Sequence, residues 1–216
     1  MFEVVLALPV VVFSLAAREC AHAVAAEWRG DRSAREAGRR TLDPRPHLDA
    51  LGMLIVPGLL ALAHAPVLVG WARPAPVDAA RLRDPRRDRS RVALAGLLSN
   101  AALALGFAAA ARLIPATGPL AIAHRMALIG VAVNCALTLF HLVPLPPLDG
   151  SWLLMRVLRL RHILLLHQFR VVGFILLSAL LLSPFTAPAL RSGMRAIAGL
   201  CLALFGGAPA AAEPAW

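Results

Sequence analysis

Lysine and tyrosine are absent from this chain of 216 residues, only 12 residues are acidic and only 3 are cysteine. Each shortage excludes something. Charged residues make up 16% and hydrophobic ones 59%. An ordinary soluble domain carries about 25% charged residues, so the chain is too apolar to be one. Cys20, Cys135 and Cys201 are odd in number, and each lies inside an apolar stretch. That is neither a disulfide framework nor a Cys-x-x-Cys metal site; they read as small buried hydrophobes. All basic charge is arginine, and the net charge is +10 with a pI near 11.6. In a soluble protein this would point to nucleic acid. Here the arginines gather between apolar blocks, where membrane proteins keep cytoplasmic positive charge, and no nucleic-acid partner is expected. The start, Met1-Phe2-Glu3, has no basic n-region, so the first apolar run does not read as a cleaved signal peptide.

What is present is a series of apolar blocks long enough to cross a bilayer, which takes roughly 20 helical residues. The mean hydropathy is +0.72. Blocks fall at residues 4–26, 51–71, 92–113, 126–142 and 171–190, with a shorter one at 194–205. The second contains Pro57, Gly58, His64 and Pro66, which predicts a kinked or re-entrant segment. Arg-rich stretches at 27–49 and 72–91 flank that block, the latter reading as irregular because of Pro74, Pro76 and Pro85. A full crossing by the second block would put one of them outside, against the positive-inside tendency; a re-entrant block removes the conflict. Residues 151–162 set Arg156, Arg159 and Arg161 against Trp152, Leu153, Leu154, Val157 and Leu158, the pattern of an interfacial amphipathic helix. The four tryptophans, at 28, 71, 152 and 216, mostly flank apolar blocks. Residues 1–205 read as one membrane domain and 206–216 as a disordered Ala/Pro-rich tail.

Ionisable groups inside a membrane helix are costly and mark function by default. In the first block Arg18, Glu19 and His22 lie within little more than one turn. Residues four apart share a helix face, so Arg18 and His22 point the same way. With histidine at 18 the string would be H-E-x-x-H, which grips zinc with two imidazoles and uses the Glu as general base. Far along the chain, Asp149 follows the stiff run Pro144-Leu145-Pro146-Pro147-Leu148 and precedes Gly150, so a carboxylate is held at the end of an apolar helix.

Together these residues resemble the site-2 protease family of intramembrane zinc metalloproteases, peptidase family M50, in its short form. Arg18 to Ala23 stands where that family has HExxHA. Thr41-Leu42-Asp43-Pro44 with His47, Asp49 and Gly52 resembles its T-L-N-P-x-x-H-x-D-P-x-G stretch. Gly70 to Val77 resembles G-W-A-K-P-V-P-V, Ala95 to Asn100 resembles A-G-P-x-x-N, and Phe140 to Gly150 resembles F-N-L-x-P-x-P-P-L-D-G. The resemblance implies zinc held by His22 and Asp149, with Glu19 as base and Asn100 lining the site. It also implies hydrolysis within transmembrane segments of other proteins in the lipid bilayer, in a multi-pass protein of a prokaryotic membrane. Leu97 replaces the family's proline, which predicts a straighter third helix.

Two departures fall on chemical positions: Arg18 replaces the first histidine and His141 the family's asparagine. A guanidinium cannot ligate and stays charged. One reading moves the ligand, so that His22, Asp149 and His141 hold zinc with one open position. The other removes the metal and pairs the Arg18 fork with Asp149 or Glu19, leaving a pseudoprotease that binds transmembrane helices. A small transporter is a third, weaker reading. His47 has a counterpart in the family pattern and compensates for nothing; His64, His124, His162 and His167 read as contact or interfacial residues. The expected fold is an all-α polytopic membrane bundle of about five or six helical segments, with short extended pieces near 41–50 and 70–77.

Overall fold

The computed structural model describes residues 2–55, 58–59, 62, 71–158, 183 and 186–206. Helix α1 spans Phe2–Trp28 and carries Pro9 within it. A short helix α2, Ser33–Glu36, follows. Helix α3 is Pro85–Leu113, α4 is Ala121–Leu142, α5 is Asp149–Met155 and α6 is Thr186–Ala203. The stretches Phe2–Trp28, Pro85–Leu113 and Gly118–Leu142 are long and apolar enough to cross a membrane. No strand occurs among the described residues, so the chain is all-α as expected. The outward side chains are large and apolar, among them Phe2, Val5, Leu8, Leu98 and Leu113, as a lipid-facing surface requires.

Between helices in lipid there is little hydrophobic drive, and small residues that allow close approach take its place. The core shows this composition. Ala104, Ala108 and Ala111 of α3 pack on Ala127, Val131 and Cys135 of α4 and on Ala198 and Leu202 of α6. A Cβ at Gly130 would enter the Phe107 ring, so glycine lets α3 and α4 meet there. Helix α1 lies along α4 through Val10 against Ile129 and Val133. Deeper polar pinning comes from Asn134, whose Nδ2 donates to Ser14 Oγ on α1 and to the Gly130 carbonyl, each at 2.9 Å.

Three boundaries differ from the sequence reading. The segment 72–91 was expected to be irregular throughout, yet α3 begins at Pro85. Asp84 caps it by accepting from the Arg87 N–H at 3.1 Å, and Asp88 Oδ2 accepts from the Asp84 N–H at 2.9 Å. An Asp cap followed by proline at the first helical position is a strong start, and it outweighs the surrounding charge. Helix α5 stops at Met155, well short of residue 162, as Arg156 and Val157 tighten onto the Leu153 and Leu154 carbonyls and Arg86 donates to the Leu158 carbonyl. Residues 159–162 lie outside the described residues. The last helix begins at Thr186, eight positions before Met194, so the end of the fifth block belongs to it. Pro188 stands in its first turn, where a missing N–H costs nothing. The rest of the fifth block, the interior of the second with His64, and residues 207–216 lie outside the described residues.

The pieces around 41–50 and 71–78 are irregular. A 3₁₀ turn covers Arg45–His47 and a π turn covers Leu51–Ile55. They are joined by backbone bonds from Arg73 N–H to the His47 carbonyl at 2.9 Å and from Trp71 N–H to the Gly52 carbonyl at 3.1 Å. The second pair joins residues near the two ends of the second block. The two Arg-rich stretches meet there as well. Asp31, fully buried, accepts from Ser33 N–H and Ser33 Oγ and from the Asp78 N–H at 2.7 Å, and Arg83 N–H donates to the Arg29 carbonyl.

Candidate functional site

Arg18, Glu19, His22 and Asp149 converge in the interior, all buried. His22 stands six residues before the end of α1, about 9 Å below it along the helix axis. The Nε2 side of its ring abuts α3 at Gly96, where a Cβ would collide with the imidazole. Asp149 reaches the same place from the first turn of α5. The chain reverses direction after α4 through turns closed by Leu145 N–H to Val143 and Leu148 N–H to Leu145, both 2.9 Å, with Pro146–Pro147 cis. Gly150 is required because a Cβ there would run into the Leu142 and Val143 carbonyls. Ser90 Oγ on α3 donates to the Trp152 carbonyl at 3.0 Å, and the Arg89 guanidinium sits 5.7 Å from the Trp152 ring centre. The turn of α5 that carries Asp149 is thereby tied to α3.

Within the cluster Arg18 spans both carboxylates. Nη1 donates to Glu19 Oε1 at 2.6 Å and Nη2 to Asp149 Oδ2 at 2.7 Å. His22 Nε2 stands 3.3 Å from the same Asp149 oxygen, and Nδ1 stands 3.8 Å from Glu19 Oε2. The second Glu19 oxygen is taken by the Ala75 N–H at 2.8 Å. Ala75 belongs to the 71–78 segment, which crosses over the site and is also held by Arg39 Nη1 on the Pro74 carbonyl at 2.7 Å. Both oxygens of Glu19 are therefore engaged by donors of the chain itself.

Over 207 residues the chain is 33% identical to the "Putative zinc metalloprotease YwhC" of Bacillus subtilis (strain 168), with 90% of each chain covered. The chain belongs to that zinc metalloprotease family. No protein-family model matches it, and no solved structure does at a significant level.

Membership in the YwhC family raises the question of zinc, and the donors present do not fit it. His22 Nε2 and Asp149 Oδ2, 3.3 Å apart, have the spacing of two ligands on one tetrahedral ion with bonds of about 2.0 Å. The third corner is missing: Arg18 brings a cation to the Asp149 oxygen that would bind. Among the described residues no three His, Cys, Asp or Glu groups come together to hold a metal. His141 is not brought into such a group with His22 and Asp149; its Nδ1 faces the Leu137 carbonyl of its own helix at 2.9 Å, and its ring packs edge-on against Phe140. Asn100 is fully buried on α3, one turn beyond Gly96. His47, also buried, lies outside the cluster with Nε2 on the Thr41 carbonyl, and His124 faces the Ile114 carbonyl. The cysteines are unpaired thiols, and Cys135 is buried.

Two contributors escaped the sequence reading. Ala75 acts through its N–H, which no side-chain pattern reveals, although prolines on both sides keep its backbone out of a helix. Gly96 acts by lacking a side chain, and only the ring opposite gives that a meaning.

Proposed function

We propose that the chain is an intramembrane, site-2-protease-like member of this family in which proteolysis has been lost. It would hold transmembrane segments of other proteins within the bilayer without cleaving them. The observation that carries this reading is the Arg18 fork, donating at 2.6 Å to Glu19 and at 2.7 Å to Asp149. A hydrolytic base must have a free oxygen within reach of the proton it takes, and Glu19 has both oxygens engaged. A catalytic zinc needs three protein ligands and an open position, and the guanidinium stands where the third would be. The paired ends of the second block and the docked Arg-rich stretches support a multi-pass arrangement with the arginines on the cytoplasmic face.

Metal analysis of the purified full chain tests this. Native protein is expected to hold far less than one zinc per chain. Arg18→His, which supplies an imidazole four residues before His22, is expected to gain one zinc, lost again in Arg18→His with Asp149→Asn. One tightly held zinc in the native protein, or cleavage of a co-reconstituted transmembrane substrate that Glu19→Gln abolishes, would overturn the reading.

A further inference from the structure

At the end of the bundle away from the Arg-rich stretches, a cleft of about 350 Å³ opens where the last turn of α3, the first turn of α4 and the end of α6 meet. That volume is at the lower end of the range for small-molecule pockets, about 300–1,000 Å³. Ala108, Ala111, Leu128 and Leu202 give it an apolar lining, Arg112 and His124 are its ionisable members, and no carboxylate lines it. Its depth in the bilayer follows from helix rise. From Val92, where the apolar run of α3 begins, to Arg112 the helix climbs about 30 Å, the thickness of a hydrocarbon core. Arg112 therefore stands at the level of lipid headgroups. The neighbouring Arg125 is neutralised by Glu3, whereas Arg112 makes no hydrogen bond or ion pair among the described residues. Arg112 Nε lies beside Gly206, just past α6, so the side chain reaches from α3 to the end of α6 along the cleft that both residues line. The helix dipole favours a base in the last turn of α3, but it accounts for neither the cleft nor the missing counter-ion. A free guanidinium fork matches phosphate geometry. His124 adds a second requirement. Its Nδ1 is 2.9 Å from the Ile114 carbonyl, which can only accept, so Nδ1 carries the proton and the neutral ring presents Nε2 as an acceptor. A ligand with a phosphate, a hydroxyl and an apolar body answers all three kinds of lining.

We propose that this cleft binds an anionic phospholipid of the phosphatidylglycerol type. The phosphodiester pairs with the Arg112 guanidinium, a headgroup hydroxyl donates to His124 Nε2, and the apolar part of the lipid lies against the alanines and leucines. The bound lipid joins α3, α4 and α6 at their shared end. The site rests on α3 spanning the bilayer and is independent of whether the chain cleaves peptides.

Full-length protein, stripped of lipid in a non-ionic detergent, is titrated with dioleoyl phosphatidylglycerol, phosphatidylmethanol or phosphatidylcholine, and bound lipid per chain is counted by native mass spectrometry. Phosphatidylglycerol is expected to bind about fivefold more tightly than phosphatidylcholine, the preference that one basic residue at a membrane surface gives. Arg112→Gln is expected to abolish that preference without changing phosphatidylcholine binding. Arg125→Gln makes the same charge change at a guanidinium already committed to Glu3 and is expected to keep it. Phosphatidylmethanol is anionic but has no headgroup hydroxyl; it is expected to bind more weakly than phosphatidylglycerol, a difference that His124→Phe removes. Equal affinity of the native protein for phosphatidylglycerol and phosphatidylcholine would overturn the proposal. Equal losses in Arg112→Gln and Arg125→Gln would overturn it too, because attraction would then be to surface charge in general. Displacement of the lipid by an equal concentration of inorganic phosphate would show a site for free phosphate instead.

Discussion

Replacing Arg18 by leucine removes one cation from two carboxylates at once. The side chains of Arg18, Glu19 and Asp149 are 9%, 4% and 7% exposed, so solvent does little to screen the charges left behind. Removing one partner of a buried ion pair costs about 3–5 kcal/mol, because the remaining charge stays buried without compensation. Arg18→Leu is expected to fall in that range. For a chain of this size about 1 kcal/mol corresponds to roughly 2–4 °C in Tm, so the expected drop is about 6–20 °C. Thermal unfolding in detergent can be followed by reaction of a maleimide dye with Cys135, which is 2% exposed when folded. The decisive comparison adds Glu19→Gln and Asp149→Asn to Arg18→Leu. Neutralising the whole set removes the uncompensated charges, so the triple variant should be more stable than the single one, a non-additivity expected for residues in one network. A drop below about 1 kcal/mol for Arg18→Leu, or a triple variant less stable than the single one, would refute the reasoning.

Three further outcomes follow from the packing. Gly150→Ala drives a methyl group into the Leu142 and Val143 carbonyls and should cost about 1–3 kcal/mol or more, since backbone has little room to yield; the same dye assay reads it. Ser14→Ala deletes the α1 partner of Asn134 and should cost about 0.6 kcal/mol, the average for a hydrogen bond between membrane helices. Glu36→Gln should leave the unfolding midpoint unchanged despite the 2.7 Å pair with Arg81, because both side chains are about half exposed and solvent screens the pair; a clear loss would mean that the docked Arg-rich stretches depend on that pair.

Much of the architecture was legible because membrane helices advertise themselves by length and apolarity. The segments 4–26, 92–113 and 126–142 were each found within a few residues of their helices or extended by a charged first turn. The start of α3 was missed because the density of arginines between 81 and 91 masks the Asp84-Pro85 signal. The end of α5 was missed because an amphipathic pattern runs on through Arg156 and Leu158, while tertiary hydrogen bonding stops the helix at Met155. In the site, the grouping of Arg18, Glu19 and His22 was legible from helical spacing, while Asp149 was joined to them by the resemblance to the site-2 protease family, not by spacing. Which way the Arg18 side chain would turn was not legible, since one sequence allows a guanidinium to face lipid headgroups or a carboxylate 131 positions away. That choice depends on α5 arriving beside α1, which is decided by the packing of Gly150 and Ser90.

The adjacency of Arg18 and Glu19 also bears on how the protein is made. Helix α1 leaves the ribosome and partitions into lipid long before Asp149 has been synthesised. A lone ionised residue at mid-helix raises the cost of that insertion by about 2.5–3.5 kcal/mol. An arginine next to a glutamate carries its own counter-charge into the translocon, so the nascent segment enters nearly neutral. Asp149 arrives last and finds the guanidinium already oriented. A histidine at position 18 would have left Glu19 to cross alone, so the arginine eases biogenesis at the position where it pairs with both carboxylates.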